Sequence, residues 1–154
     1  MIRILHVEDD PCEAEHVRQT LEKEFTSRGV TIQRVCTELQ FRTMLDEIVQ
    51  NPPTLVLMDI MLRWCDPAPD LKEPPADVRS GGYDRAGLRC QRLLWAKNPN
   101  IPVIFFTVLH ESDMEGDLRP MEKNVFFISK GPDFNGLFDK IREIATKAAG
   151  INIC

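Results

Sequence analysis

A chain of 154 residues is long enough to bury roughly 68–70% of its unfolded surface in one domain, and 43% apolar with 28% charged residues is ordinary for a globular protein. The net charge of −5 argues against nonspecific binding to nucleic acid or anionic membranes, which both call for basic patches. The sequence holds no 18-residue apolar run, and Glu8-Asp9-Asp10 comes too early for a signal peptide, so a cytoplasmic location is expected.

Taken in chain order, Ile2-Arg3-Ile4-Leu5-His6-Val7 reads as a first strand that runs into Glu8-Asp9-Asp10. Asp10-Pro11 is a helix start, with Asp as N-cap and Pro at the first helical position. Ala14, Val17, Leu21 and Phe25 then recur at helical spacing until Arg28-Gly29. Residues 30–36 form a short β-prone run. Phe41, Met44, Leu45 and Ile48 make a second helical stripe, closed by Asn51-Pro52-Pro53. Leu55-Val56-Leu57-Met58 is apolar throughout, as in a strand buried on both faces, and ends on Asp59.

Residues 63–85 break the pattern with Pro67, Pro69, Pro74, Pro75 and Gly81-Gly82, and read as a long loop without useful helix or strand. Loops of that length are usually functional or disordered. A helix resumes over about residues 86–97, stopped by Asn98-Pro99-Asn100 before a strand over residues 101–106 that runs on to Thr107. A short helix is expected within residues 111–123, weakened by Gly116 and Pro120. Val125-Phe126-Phe127-Ile128 gives a fifth strand ending on Ser129-Lys130, and a last helix starts from Asp133. Strand and helix alternate five times. The expected class is α/β, a doubly wound (βα)5 flavodoxin-like sandwich with a central five-stranded parallel sheet, in one domain over residues 1–154.

In an open parallel sheet, chemistry collects beyond the carboxyl ends of the strands. Here those ends carry Glu8, Asp9, Asp59, Thr107 and Lys130. Three acids can hold a divalent cation, one of them can be a nucleophile, and a hydroxyl and an ammonium can grip phosphoryl oxygens. Asp10, directly before Pro11, is assigned to the helix cap instead. The five cysteines (Cys12, Cys36, Cys65, Cys90 and Cys154) and three histidines are scattered without any CxxC pair, which fits free thiols in a reducing compartment and no zinc site.

The segments Val7-Glu8-Asp9-Asp10-Pro11, Leu57-Met58-Asp59-Ile60-Met61, Ile104-Phe105-Phe106-Thr107 and Ile128-Ser129-Lys130, in this order, resemble the receiver domain of two-component response regulators. The chain is similar to the chemotaxis-type single-domain receivers over nearly its whole length apart from residues 63–85. The resemblance implies that Asp59 accepts a phosphoryl group from a histidine kinase or histidine phosphotransfer protein. It implies that Glu8 and Asp9 place Mg2+, with Asp59 and the backbone carbonyl of Met61 as further ligands. Thr107 matches the switch hydroxyl and Lys130 the lysine that contacts the phosphoryl group. Such a receiver catalyses only its own phosphorylation and dephosphorylation. With little chain after the last helix, output is expected through an unknown downstream protein or onward phosphotransfer, without nucleic acid or membrane.

Four departures from the family stand out. The segment after Asp59 is roughly twenty residues longer than a plain receiver carries. Lys130 is followed by Gly131 and then Pro132, where many receivers have Lys-Pro with a cis bond, and only X-Pro bonds adopt cis readily. Val108 follows Thr107, where the family prefers a small residue, which narrows access to Asp59. Phe127 stands at the rotating aromatic without a hydroxyl. Trp64 is expected to pin the long segment to the domain. The alternative function is a pseudo-receiver that binds protein without phosphorylation. A haloacid-dehalogenase-like phosphatase is disfavoured, because it needs a second Asp where Met61 stands.

Overall fold

The structure is a computed structural model that describes residues 1–67, 73–114 and 123–150. Its strands are β1 (Ile2–Val7), β2 (Val30–Val35), β3 (Leu55–Met58), β4 (Val103–Thr107) and β5 (Val125–Ser129). Its helices are α1 (Pro11–Glu24), α2 (Glu38–Gln50), α3 (Ala76–Gly81), α4 (Ala86–Lys97) and α5 (Asn135–Ala148). All strand pairs are parallel and the sheet order is β2-β1-β3-β4-β5, the doubly wound arrangement expected. No helix among the described residues is long and apolar enough to cross a membrane.

The strand sequences explain this order. β3 and β4 are buried at every position, as an inner strand covered on both faces requires, whereas β2 alternates exposed with half-buried residues as an edge strand. One face of the sheet packs Leu5, Val7, Val56, Met58 and Phe105 against α2 and α4. The other packs Ile2, Ile4, Leu57, Ile104 and Phe106 against α1 and α5. Each such buried side chain contributes roughly 1.5–3 kcal/mol of transfer free energy, so the two cores fix the sheet and leave its upper edge for chemistry. Asp10 caps α1 as expected, accepting from the Cys12 and Glu13 N–H groups at 2.8 and 2.9 Å.

Three sequence expectations need correction. Residues 63–85 are not free of helix: they contain α3 and a 3-10 turn over Tyr83–Arg85. The residues that read as breakers act as start and stop, Pro75 leading in with φ −62 and Gly82 ending the helix with φ 68. β4 begins at Val103 and α5 at Asn135, whose N–H is held by Asp133 Oδ1 at 2.8 Å. Of the span in which a short helix is expected, 111–123, the described part begins with a 3-10 turn, Glu111–Met114, and residues 115–122 lie outside the described ones. The described peptide bonds, including Lys130–Gly131, are all trans.

α4 docks on the end of β3 by a close approach of main chain to main chain. Gly87 N–H donates to Ile60 O at 2.9 Å, and a Cβ on Gly87 would stand 2.1 Å from Asp59 O and 2.7 Å from Ile60 Cα. Neither backbone atom can step aside without moving Asp59. Gly87→Ala is therefore expected to cost about 1–3 kcal/mol or more in denaturant unfolding. The matched control is Gly136→Ala in α5, where a Cβ meets nothing within 4 Å, and it should be neutral or slightly stabilising. Equal stability of the two variants would contradict the docking.

Candidate functional site

Three main-chain bonds carry the sheet pairing past its strands and set the site. Glu8 N–H donates to Val35 O at 2.9 Å, Asp59 N–H to Val7 O at 2.9 Å, and Lys130 N–H to Thr107 O at 2.7 Å. Glu8 and Asp59 therefore stand on neighbouring strand ends, beyond β1 and β3, and Lys130 stands beyond β5, with the Thr107 end of β4 between. Lys130 Nζ donates to Glu8 Oε2 at 2.6 Å and to Asp59 Oδ2 at 2.8 Å. All three side chains are nearly buried, at 11%, 2% and 8% exposure for Lys130, Glu8 and Asp59. Asp59 Oδ1 is held from the other side by the Ile60 N–H at 2.6 Å and the Met61 N–H at 3.3 Å. Glu8 Oε1 accepts from the Asp10 N–H at 2.9 Å.

The electrostatics follow from two buried carboxylates sharing one ammonium. Burial lifts the Glu8 carboxyl above the usual carboxylate range, against the pull of the Lys130 ammonium. Burial works to lower Lys130 too, but the Asp59 and Glu8 carboxylates outweigh it and hold the amine above its ordinary value. Lys130 is thus a fixed positive charge at neutral pH.

The other expected residues take different places. Asp9 is half-buried and its Oδ2 accepts from the Arg63 N–H at 3.0 Å, at the start of the long segment. Thr107 is buried, its hydroxyl accepting from the Leu109 N–H at 3.4 Å. Glu8, Asp9, Asp59 and Met61 line one open cleft of about 710 Å3, together with Lys130, Tyr83 and Val108. Val108 and Tyr83, 59% and 68% exposed, stand on its rim. Phe127 is half-buried against the α4 side of the core. Trp64 lies under the Arg42 guanidinium at 5.6 Å, and its carbonyl accepts from the Leu39 N–H at 2.9 Å, so the long segment is fastened there.

The donor set suits a hard cation. The carboxylates of Glu8, Asp9 and Asp59 and the carbonyl of Met61 all offer oxygen donors, and Mg2+ keeps several waters, so a few protein oxygens could hold it. Among the described residues no three His, Cys, Asp or Glu side chains are drawn together into a ready-made cage. Lys130 instead balances two of the acids.

Sequence reasoning missed four groups. Glu38, wholly buried at the start of α2, accepts from Arg42 (3.1 and 2.7 Å) and from Arg89 of α4 (2.9 and 2.7 Å). Arg42 also reaches Asp77 of α3 at 2.5 Å. Only the four-residue spacing of Glu38 and Arg42 was visible in one dimension. Arg34 and Tyr83 carry no motif. His6 lies inside an apolar run that marks a strand and nothing more.

His6 gives a pH signature. Burial, then the positive charges of Lys130 and Arg34, push the imidazole from 6.5 down to about 3. The unfolded chain binds this proton in the window between those values and the folded chain does not. Stability is therefore present above pH 6.5 and lost as pH falls towards 3, at up to about 1.4 kcal/mol per pH unit for one group. Urea unfolding of His6→Leu should show a shallower loss across that window, and an unchanged slope would contradict a neutral buried His6.

No protein-family model matches the chain, and no curated protein matches it. Solved structures do. A response regulator receiver domain protein (CheY-like) from Methanospirillum hungatei superposes with a TM-score of 0.63 at 19% identity, covering 97% of this chain and 98% of that one. A response regulator receiver protein from Sinorhizobium medicae gives 0.60 at 17% identity, covering 93% of each chain. The response regulator protein TrrA from Thermotoga maritima, in complex with Mg(2+)-BeF, gives 0.59 at 22% identity, covering 94% of this chain and 99% of that one. The chain has the fold of response regulator receivers.

Proposed function

We propose that this chain is a response regulator receiver that takes a phosphoryl group from a histidine kinase or histidine phosphotransfer protein onto Asp59, with Mg2+ as cofactor. The observation that carries this reading is the Lys130 ammonium set between Glu8 and Asp59 at the carboxyl edge of a receiver-type sheet. Phosphoryl transfer asks a protein for positioning and charge neutralisation more than for covalent chemistry. The Ile60 and Met61 N–H groups fix Asp59 Oδ1, which leaves Oδ2 turned to Lys130 as the attacking oxygen. Its bond to phosphorus forms as the donor's bond to phosphorus breaks, and the donor's leaving group departs through the open side of the cleft.

Lys130 loses a carboxylate partner in that step and gains phosphoryl oxygens, which it neutralises as a point charge. Thr107 offers a hydroxyl at the next strand end. Bound at Glu8, Asp9, Asp59 and the Met61 carbonyl, Mg2+ would supply further neutralisation of the phosphoryl oxygens. The TrrA complex with Mg(2+)-BeF supports the same cofactor here. An aspartyl phosphate carries about −1.5 to −2 charges where the carboxylate carried one, and the added charge and phosphoryl oxygens beside Lys130 are enough to redraw the hydrogen bonds of the surrounding loops. The signal then leaves through contact with a downstream protein or onward phosphotransfer, in the cytoplasm.

Beryllofluoride, which mimics a phosphoryl group, tests the site without a partner. With Mg2+ present it should raise the melting temperature of the wild-type chain by mass action and leave Asp59→Asn unmoved. Equal melting of both proteins with and without the mimic would sink this reading in favour of a pseudo-receiver.

A further inference from the structure

Two arginines from different elements converge on the main chain of the acidic pair. Arg34, in β2, donates from Nε to Glu8 O at 3.0 Å and from Nη2 to Asp9 O at 3.1 Å. Arg63, at the start of the long segment, donates from Nη2 to the same Asp9 carbonyl at 3.3 Å, while its own N–H holds Asp9 Oδ2. The Arg63 corner is in turn fastened to α2, whose first-turn N–H groups of Glu38 and Leu39 donate to the carbonyls of Arg63 and Trp64 at 3.1 and 2.9 Å. Those are N–H groups that a helix start leaves without an internal partner.

By charge alone this arrangement works against the site. Two guanidinium groups beside carboxylates meant for a divalent cation repel that cation. What they supply in return is geometry. A planar guanidinium bridges two successive carbonyls as a lysine's point charge cannot, and it fixes the turn on which Glu8 and Asp9 are mounted. Losing a group that holds a metal ligand in place typically costs roughly 10–100-fold in metal affinity.

We propose that Arg34 and Arg63 are positioning residues for the metal-binding acidic pair, and that Arg63 links the state of Asp9 to the long segment through Trp64. The inference rests on the function proposed above. It concerns residues outside the motifs that suggested that function.

The test uses the full chain and Mg2+ alone. Calorimetry should show Arg34→Lys binding Mg2+ roughly tenfold more weakly than wild type, although the charge is kept. A merely structural arginine would lower the melting temperature and leave Mg2+ affinity, measured well below the melt, where it was. A second readout needs no change at either arginine. In a Trp95→Phe background, Trp64 is the only tryptophan, and its emission should change with Mg2+ at the calorimetric midpoint. Adding Arg63→Ala should diminish that change. Wild-type affinity in a folded Arg34→Lys, or Trp64 emission indifferent to saturating Mg2+, would overturn the inference and leave the proposed function standing. Absence of Mg2+ binding by the wild-type chain would overturn both.

Discussion

Replacing Glu38 with alanine is expected to cost about 3–5 kcal/mol of stability, the scale of breaking a buried ion pair from one side. Glu38 is fully buried, and its two carboxylate oxygens take four N–H donors from Arg42 and Arg89. Removing it leaves Arg89, 10% exposed, with a desolvated charge. Among the described residues Arg89 Nη1 is already buried without a hydrogen-bond partner, and none of them offers it an acceptor to replace the lost carboxylate. The loss should also loosen α2 from α4 and from the long segment, because Glu38 bonds Arg89 of α4 and the same Arg42 guanidinium that holds Asp77 and lies over the Trp64 ring. Asp77→Ala is the comparison. Its carboxylate is 52% exposed, and an ion pair so placed is worth under about 1 kcal/mol. Chemical denaturation of the two variants separates these values cleanly, and similar losses would mean that the buried carboxylate is not the keystone of the cluster.

The strands and the edge on which the site lies were legible because apolar runs such as Leu55-Val56-Leu57-Met58 have few other uses, and because parallel strands place their ends together. Asp10-Pro11 was legible because capping is local chemistry. What stayed hidden is long-range. α3 is bounded by Pro75 and Gly82, which one dimension reads only as interruption. Glu38 and Arg89 are 51 residues apart, and charged residues read as surface until a partner is known. The engagement of Asp9 by Arg63 depends on where the long segment turns, which no periodicity encodes. The placing of Glu8, Asp59 and Lys130 along one edge follows from the parallel sheet. Their shared hydrogen bonds needed the structure.

A single aspartyl phosphate on Asp59 is the largest effect expected of this chain. Many carboxylates line or neighbour the cleft, but Asp59 has one oxygen fixed by two main-chain N–H groups and the other facing Lys130. Glu8 shares Lys130, but its second oxygen is tied to the Asp10 N–H and its side chain, 2% exposed, is more deeply buried than that of Asp59 at 8%. Asp9 is turned to Arg63 and Asp10 to the start of α1. Intact-mass measurement after incubation with Mg2+ and acetyl phosphate is the most direct test. The wild-type chain should gain one phosphoryl group, and Asp59→Asn, folded to the same degree, should gain none. A folded wild-type chain that stays at its starting mass, or an Asp59→Asn variant that gains the same single group, would contradict the proposed function.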